Sequence, residues 1–495
     1  MKEIHFKALD YTSDDTFVES DYTYKGDENL GWEICRNGSP YLELGQGYRL
    51  LKTKSCGVCS TDIDRRFLPF PLPQVIGHEV IAEDPDTHQN YVVEINDTFE
   101  ARGDVEVDSF VKEGIPTHSP ERKVLGIDRL PGGFGPYILA PIHAAIPYDS
   151  LEEKTAVLTE PFAASLQAVI ASPPEEGDTV AVLGPRRLGS LVIAALNAYR
   201  LDSNVNFRII ALARRQKLLD LAIQLGADEG INISESTTID SLEDKFDILY
   251  DTTSTVDGFQ SAIRLAKREL HLKTTNGQKM GGLSHLTELV VDELSILPFS
   301  MENLHFHWRK EKRENLNVFL SPSFQEIPKE KMVSWISIIR NELSQYGDVT
   351  LTLSSFEDAH SKLKEMEKEG KFPRFDIAIT MQLEEIDRCI RPVEGKEDSL
   401  VRPRGAILYL PQDLNKSSSD NESYAMNKFF LQGKSIRTSR CGDFHLALKL
   451  LKDNPSVAKS LAENMISHTF NAKDLRDAFS TAKTSEAVKV MVQHA

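Results

Sequence analysis

From the start to about Tyr148, apolar residues come in short runs broken by Gly, Pro and Asp, as in "YRLLKTKSCG", "PQVIGHEVIAE" and "GGFGPYILAP". Runs of that kind between turn formers predict a β-rich, loop-rich domain. After Glu160 the period changes. "FAASLQAVIA" has helical spacing, "DTVAVLG" is a buried strand ending in a turn, and "LGSLVIAALNAY" is a helix. "FRIIALA" is a strand, "RQKLLDLAIQLGA" a helix with a glycine stop, and "FDILYDT" another strand. Strand and helix alternating at this spacing predict βαβ units around a parallel sheet, an α/β fold class.

A second alternation follows the basic, polar stretch "HFHWRKEKREN": "NVFLSP", "KMVSWISIIRNEL", "DVTLTLS", "FEDAHSKLKEMEKEG", "FDIAIT", "EEIDRCIRP" and "GAILYLP". In the segments from Phe246 and from Phe375, Phe-Asp opens a strand. A helix carrying Ala/Cys-Ile-Arg follows, and then a further strand. This suggests a partial internal repeat, although any two βαβ segments share such features. "DLNKSSSDNES" reads as a flexible polar loop. The tail from Cys441 reads as two amphipathic helical stretches and a terminal strand, "AVKVMVQ".

A chain of 495 residues exceeds one ordinary core and points to about two or three domains. Acidic residues outnumber basic ones, 75 to 57, and no Lys/Arg block can follow a phosphate backbone, so nucleic acid is not an expected partner. Five cysteines (Cys35, Cys56, Cys59, Cys389, Cys441) are too few and too scattered for a disulfide framework. No apolar run suits a signal core or a membrane span. A reduced, cytoplasmic protein is expected, in which the N-x-T triplet at Asn96 carries no glycan.

"CGVCSTD" at Cys56–Asp62 holds a C-x-x-C with no second C-x-x-C to complete a structural zinc clip. Thiolate, histidine and carboxylate are zinc ligands, and a catalytic zinc keeps one position open. Cys59, His78 of "GHE" and a third group would leave that opening. As isolated residues, Cys59 could equally be a small buried side chain and His78 a satisfied core histidine.

In order and spacing, "YRLLKTKSCGVCSTD", "PQVIGHEVIAE", "VLGIDRLPGGFGPYILAP", "AVLTEPFAASLQAV", "DTVAVLGPRRLGSL" and "LDLAIQLGAD" resemble the zinc-dependent medium-chain alcohol, polyol and threonine dehydrogenases. The resemblance covers residues from about 40 to 300 and again from about 436 to the end. It implies a GroES-like catalytic domain at 1–160 and a Rossmann doubly wound sheet at 161–300. An α/β insertion would fill 301–435, and 436–495 would supply the last sheet strand and a return to the catalytic domain. It also implies Cys59, His78 and Glu160 as zinc ligands, with Glu79 as an exchangeable ligand or a group just behind the metal. Cys56 would be framework. Asp62 would hold the other ring nitrogen of His78, and Thr61 would relay a proton while zinc acts as a Lewis acid. Relatives commonly carry a four-cysteine zinc lobe after the "GHE" strand. The corresponding stretch here has no cysteine, so one catalytic zinc, no structural zinc and a metal-free loop are expected.

The turn expected to cradle a pyrophosphate reads Gly184, Pro185, Arg186, Arg187, Leu188, Gly189, with Arg186 where the middle glycine of G-x-G-x-x-G belongs. A side chain there crowds a dinucleotide, although two arginines can also bind its phosphates. After the next strand, Arg214 and Arg215 replace the acid that reads a ribose 2′-hydroxyl, which favours NADP over NAD; the bland reading is a solvated helix start. The resemblance places Lys489 at the pyrophosphate.

The expected activity is hydride transfer between NADP(H) and an alcohol, polyol or sugar, or the matching carbonyl, in a protein that a homo-oligomeric state would suit. A non-catalytic binding or scaffold descendant of the same fold is the alternative. A thiol redox protein using Cys56 and Cys59 is disfavoured, because the pair lies in a β-rich segment and not at the start of a clean helix.

Overall fold

Tyr48–Val58 alternates buried and half-buried positions and anchors the N-terminal unit. In the computed structural model, which describes residues 1–305, 315–396, 398–410 and 421–494, this strand is central to a seven-stranded sheet. It pairs with Glu79–Glu83 on one side and with the C-terminal strand Lys489–Gln493 on the other. An antiparallel four-stranded meander from Lys2–Tyr11 to Ser39–Leu44 adds Tyr22, Tyr24 and Trp32 to the same core. The basic stretch "HFHWRKEKREN" and the polar loop "DLNKSSSDNES" fall, but for their ends, outside the described residues.

The rest of the chain is organised by an eleven-stranded sheet. Its strands in chain order are β1 (Thr179–Leu183), β2 (Arg208–Ala213), β3 (Glu229–Asn232), β4 (Phe246–Asp251), β5 (Ala266–Leu272) and β6 (Ser295–Pro298). Then come β7 (Asn315–Leu320), β8 (Asp348–Leu353), β9 (Phe375–Thr380), β10 (Val401–Tyr409) and β11 (Ser435–Thr438). Their order across the sheet is β3-β2-β1-β4-β5-β11-β6-β10-β9-β7-β8. The alternation predicted on both sides of residue 300 is therefore real, and the segment after 300 extends the sheet. Strands such as β1 and β9 are buried almost throughout because helices cover both faces.

Two expectations need correction. The cysteine-free stretch is not a plain loop: it holds the short helices Phe99–Arg102 and Ser109–Lys112 and part of a three-stranded sheet. Thr98 and Asp108 cap those helices with their side-chain oxygens, a signal visible in the sequence. Phe110 packs edge-on to Phe372, docking this lobe on the segment after residue 300. The tail contains three helices, with Pro455 opening the second, and an extra strand, Ile466–Asn471. That strand's side chains alternate only between half-buried and exposed, so its apolar signal is weak.

Candidate active site

The chain makes two passes to build the centre. Pairing of Tyr48–Val58 with Glu79–Glu83 sets Gly57 opposite Glu79. The Glu79 carboxylate lies over Gly57, where an added Cβ would come within 2.0 Å of Glu79 Oε2. This accounts for the glycine inside the C-x-x-C. Cys56 is fully buried, and burial pushes its thiol well above the ordinary range, which suits a framework residue.

Cys59 stands at the N-cap of a one-turn helix, Ser60–Ile63. The pair is therefore not remote from a helix start, although the helix is only one turn long. The Cys59 N–H donates to Asp62 Oδ2 at 2.8 Å, and Asp62 Oδ1 lies 3.2 Å from His78 Nδ1. Asp62, His78 and Glu79 are all buried. Burial opposes a charge on His78, but the Asp62 carboxylate and Cys59 together outweigh it and raise the imidazole well above its ordinary value. Ligand atoms of Cys59, His78 and Glu79 lie within 4.8 Å of one another.

Glu160, in the first turn of helix Thr159–Ala171, is near enough to feel the charges of His78 and Glu79 but is not one of the three clustered groups. Desolvation pushes its carboxyl up to about 7 against the pull of His78. Lys489 is brought in by the C-terminal strand, whose Val490 pairs with Val58. Its ammonium forms a buried ion pair with Glu79 Oε1, while Glu79 Oε2 has no hydrogen-bond partner among the described residues. Lys489 thus sits on the acidic cluster. A soft thiolate, an imidazole with its second nitrogen held by a carboxylate, and an orphaned carboxylate oxygen fit a zinc ion.

These groups open onto a cavity of about 520 Å³ between the two units, lined by Cys59, Thr61, Glu79, Leu188 and Lys489 and floored by Gly184 and Thr252–Ser254. Thr61 Oγ1 lies 3.8 Å from Cys59 Sγ. The cavity sits at the carboxyl ends of β1 and β4, the place where open α/β sheets bind ligands. Gly184 has φ +84°, and a Cβ on Gly189 would meet Thr252 Oγ1 at 2.5 Å and Gly184 O at 2.6 Å. Thr252 donates to the carbonyls of Leu183 and Gly184, both at 2.9 Å, and so holds the turn. Sequence reasoning missed Thr252; its signal is the run "DTTST" at the end of β4.

Both arginines of the turn reach across to the last helix and strand. Arg186 donates to Thr484 O at 2.7 Å; Arg187 donates to Val488 O at 3.1 Å, to Ser60 Oγ at 3.3 Å and to Ala482 O. Burial lowers the Arg187 guanidinium below its ordinary value. Arg214 and Arg215 are exposed after β2. Arg215 lines a neighbouring 340 Å³ cavity that shares Arg186 and Leu218 with the main one.

An antiparallel unit and a parallel sheet meet at a Cys–His–Glu cluster, and in fold the chain is similar to solved alcohol and polyol dehydrogenases. Among curated proteins the chain is similar to L-galactonate-5-dehydrogenase of Escherichia coli, 31% identical over 165 residues that make up 30% of this chain and 46% of that one. It is also similar to sorbitol dehydrogenase of Bacillus subtilis, 24% identical over 256 residues, 48% of this chain and 70% of that one. The match thus spans just under half of the first relative. Among solved structures, L-idonate 5-dehydrogenase of E. coli superposes with a TM-score of 0.55 over 99% of each chain at 13% identity, a likeness of fold. No protein-family model matches the chain.

Proposed function

We propose that the protein is an oxidoreductase that moves a hydride between a nicotinamide dinucleotide, NADP(H) in preference to NAD(H), and a CH–OH group of an alcohol, polyol or sugar. The observation that carries this reading is the Cys59–His78–Glu79 cluster, with half-buried Cys59 beside buried His78 and Glu79, at a 520 Å³ cavity whose floor is a glycine-bounded turn. Cys59 and His78 would hold zinc, with Glu160 or Glu79 completing the set. Bound zinc would supply Lewis acidity and the nicotinamide the hydride chemistry.

The chain's own groups do the positioning. Asp62 keeps His78 Nδ1 engaged and leaves the other nitrogen free to ligate. Lys489 pairs with the buried Glu79 carboxylate and gives it an opposite charge. Thr61 faces the cavity and can pass the substrate's proton outward. Gly184 and Gly189 let a dinucleotide approach the start of helix Arg187–Ser203, where unpaired backbone N–H groups favour phosphate. Arg214 and Arg215 are positioned after β2 for a 2′-phosphate.

The alternative reading is a binding protein of the same fold that has lost its dinucleotide, in which the hydrogen bonds of Arg186 and Arg187 to the 482–488 segment would only close the turn. Fluorescence titration with NADPH and with NADH separates the two, combined with zinc analysis of the purified protein. Tight NADPH binding, weakened by Arg214→Ala with Arg215→Ala while NADH binding is unchanged, supports the oxidoreductase. No binding of either by folded protein removes it in favour of the second reading.

A further inference from the structure

Among the described residues the eleven-stranded sheet divides at one antiparallel joint, where Ile436 of β11 faces Ile296 of β6, both completely buried. On one side the order is β3-β2-β1-β4-β5-β11; on the other it is β8-β7-β9-β10-β6, which holds no counterpart of β3 among the described residues. Within each set every neighbouring pair is parallel. Leaving β3 aside, the strands correspond in order of pairing, β1 with β7, β2 with β8, β4 with β9 and β5 with β10. The innermost strand is exchanged: β6 precedes the second set and completes it, while β11 follows the second set and completes the first.

The correspondence extends to single residues. β1 pairs with β4 so that Val180 faces Ile248, and β7 pairs with β9 so that Val318 faces Ile377. In that register Thr179 matches Asn317 and Asp247 matches Asp376. The Asp247 carboxylate accepts from Thr179 N at 2.9 Å, and the Asp376 carboxylate accepts from Asn317 N at 2.7 Å. The ladder between β4 and β5 slips between Phe246 and Ile248; the ladder between β9 and β10 slips between Phe375 and Ile377. General βαβ geometry requires neither the carboxylate bond nor the slip, so their joint recurrence marks a duplication.

The two sets differ where the first has its cavity. In this register Gly184 corresponds to Pro322, so the glycine turn is gone. In its place the buried carboxylate of Glu385 takes hydrogen bonds from Ser321 Oγ and Ser323 Oγ, both at 2.6 Å, and from the N–H groups of Ser323, Met381 and Gln382 at 3.1 to 3.2 Å. These donors stand at the carboxyl ends of β7 and β9, where the first set presents Gly184 and Thr252 to its cavity. An anion belonging to the chain itself already satisfies the anion-binding end of the second crevice.

We infer that β6 to β10 form an internal copy of the dinucleotide half-sheet. Glu385 has closed that copy to nucleotide, and it serves as a built-in partner covering the inner sheet edge, so that the protein is a monomer with one dinucleotide site. A half-sheet ending at β11 alone would leave a row of backbone donors and acceptors open to pairing with a second chain. Here that row meets β6, and one apolar core runs across the joint, joining Leu183 and Leu270 to Ile407 and Phe375. The single site rests on the function proposed above; closure of the second crevice and coverage of the edge do not.

The test is light scattering of the full-length protein from low to high micromolar concentration, with equilibrium dialysis against NADPH and, separately, NADH. The mass of one chain throughout, with one nucleotide bound per chain, is the expected result. A dimer overturns the built-in partner, and two nucleotides per chain overturn the closed crevice. A one-chain mass with no nucleotide bound upholds both and removes instead the proposed function of the first half.

Discussion

Replacement of Asp62 by Asn tests the centre at the point where geometry and chemistry are most tightly joined. Asp62 accepts from Cys59 N at 2.8 Å with one oxygen and holds His78 Nδ1 at 3.2 Å with the other. Asparagine keeps one oxygen and puts an NH2 in place of the other. If that NH2 faces His78, Nδ1 must accept, the proton moves to the other nitrogen, and that nitrogen can no longer ligate a metal. If it faces Cys59, two donors meet and the one-turn helix loses its cap. Either arrangement forfeits one charge-assisted hydrogen bond, about 1.5–3 kcal/mol, which corresponds to roughly a 10- to 150-fold loss in zinc affinity. That range overlaps the ~10–100-fold typical for groups that orient a metal ligand. The assay is zinc competition against a chromophoric chelator, with kcat/KM followed on the same samples and thermal melting of the metal-free protein as a control for folding. Wild-type zinc affinity in a normally folded variant would refute the assigned role of Asp62.

Other perturbations separate framework from function. Cys56→Ala removes a buried thiol outside the metal set and should lower stability by about 1 kcal/mol while leaving kcat/KM intact; loss of activity in folded protein would restore the thiol redox reading. Lys489→Met strands the buried Glu79 carboxylate and should destabilise metal-free protein by about 3–5 kcal/mol, seen as a lower denaturation midpoint, with partial rescue by Lys489→Arg. The pH dependence has a defined sign at Glu94, whose carboxyl is pushed up to about 7 by burial and by Asp443. The folded protein holds this proton more tightly than the unfolded chain. That stabilisation, up to about 3 kcal/mol, is complete below the ordinary carboxyl range and is lost as pH rises through about 7. Glu94→Gln should therefore narrow the difference in melting temperature between mildly acidic and mildly alkaline buffer, and an unchanged difference would show that Glu94 does not titrate in that range.

Much of the fold is legible because its signals are local. Period-2 runs between turn formers mark the antiparallel unit, and strand–helix alternation marks the sheet on both sides of residue 300. The phrases "CSTD", "GHE" and "TEPF" name Cys59, Asp62, His78 and Glu160 before any coordinates. The matching Phe-Asp openings hint at a repeat, but composition cannot separate it from two ordinary βαβ units. The Asp247 and Asp376 bonds and the shared slip do so, because they depend on how strands register against one another.

The sequence by itself determined which residues are candidates for chemistry and which segments are strands, since side-chain type and short-range period suffice for both. Tertiary structure alone decided their partners. Lys489 meets Glu79 across 410 residues because the last strand returns to pair with Val58. Arg186 and Arg187 face main-chain carbonyls because that return also carries the 482–488 segment over the glycine turn. Glu385 reaches Ser321, 64 residues away, only because β7 and β9 are neighbours in the sheet. Pairings at such separations are selected by the burial and hydrogen bonding of whole elements at once, and no local run of residues encodes them.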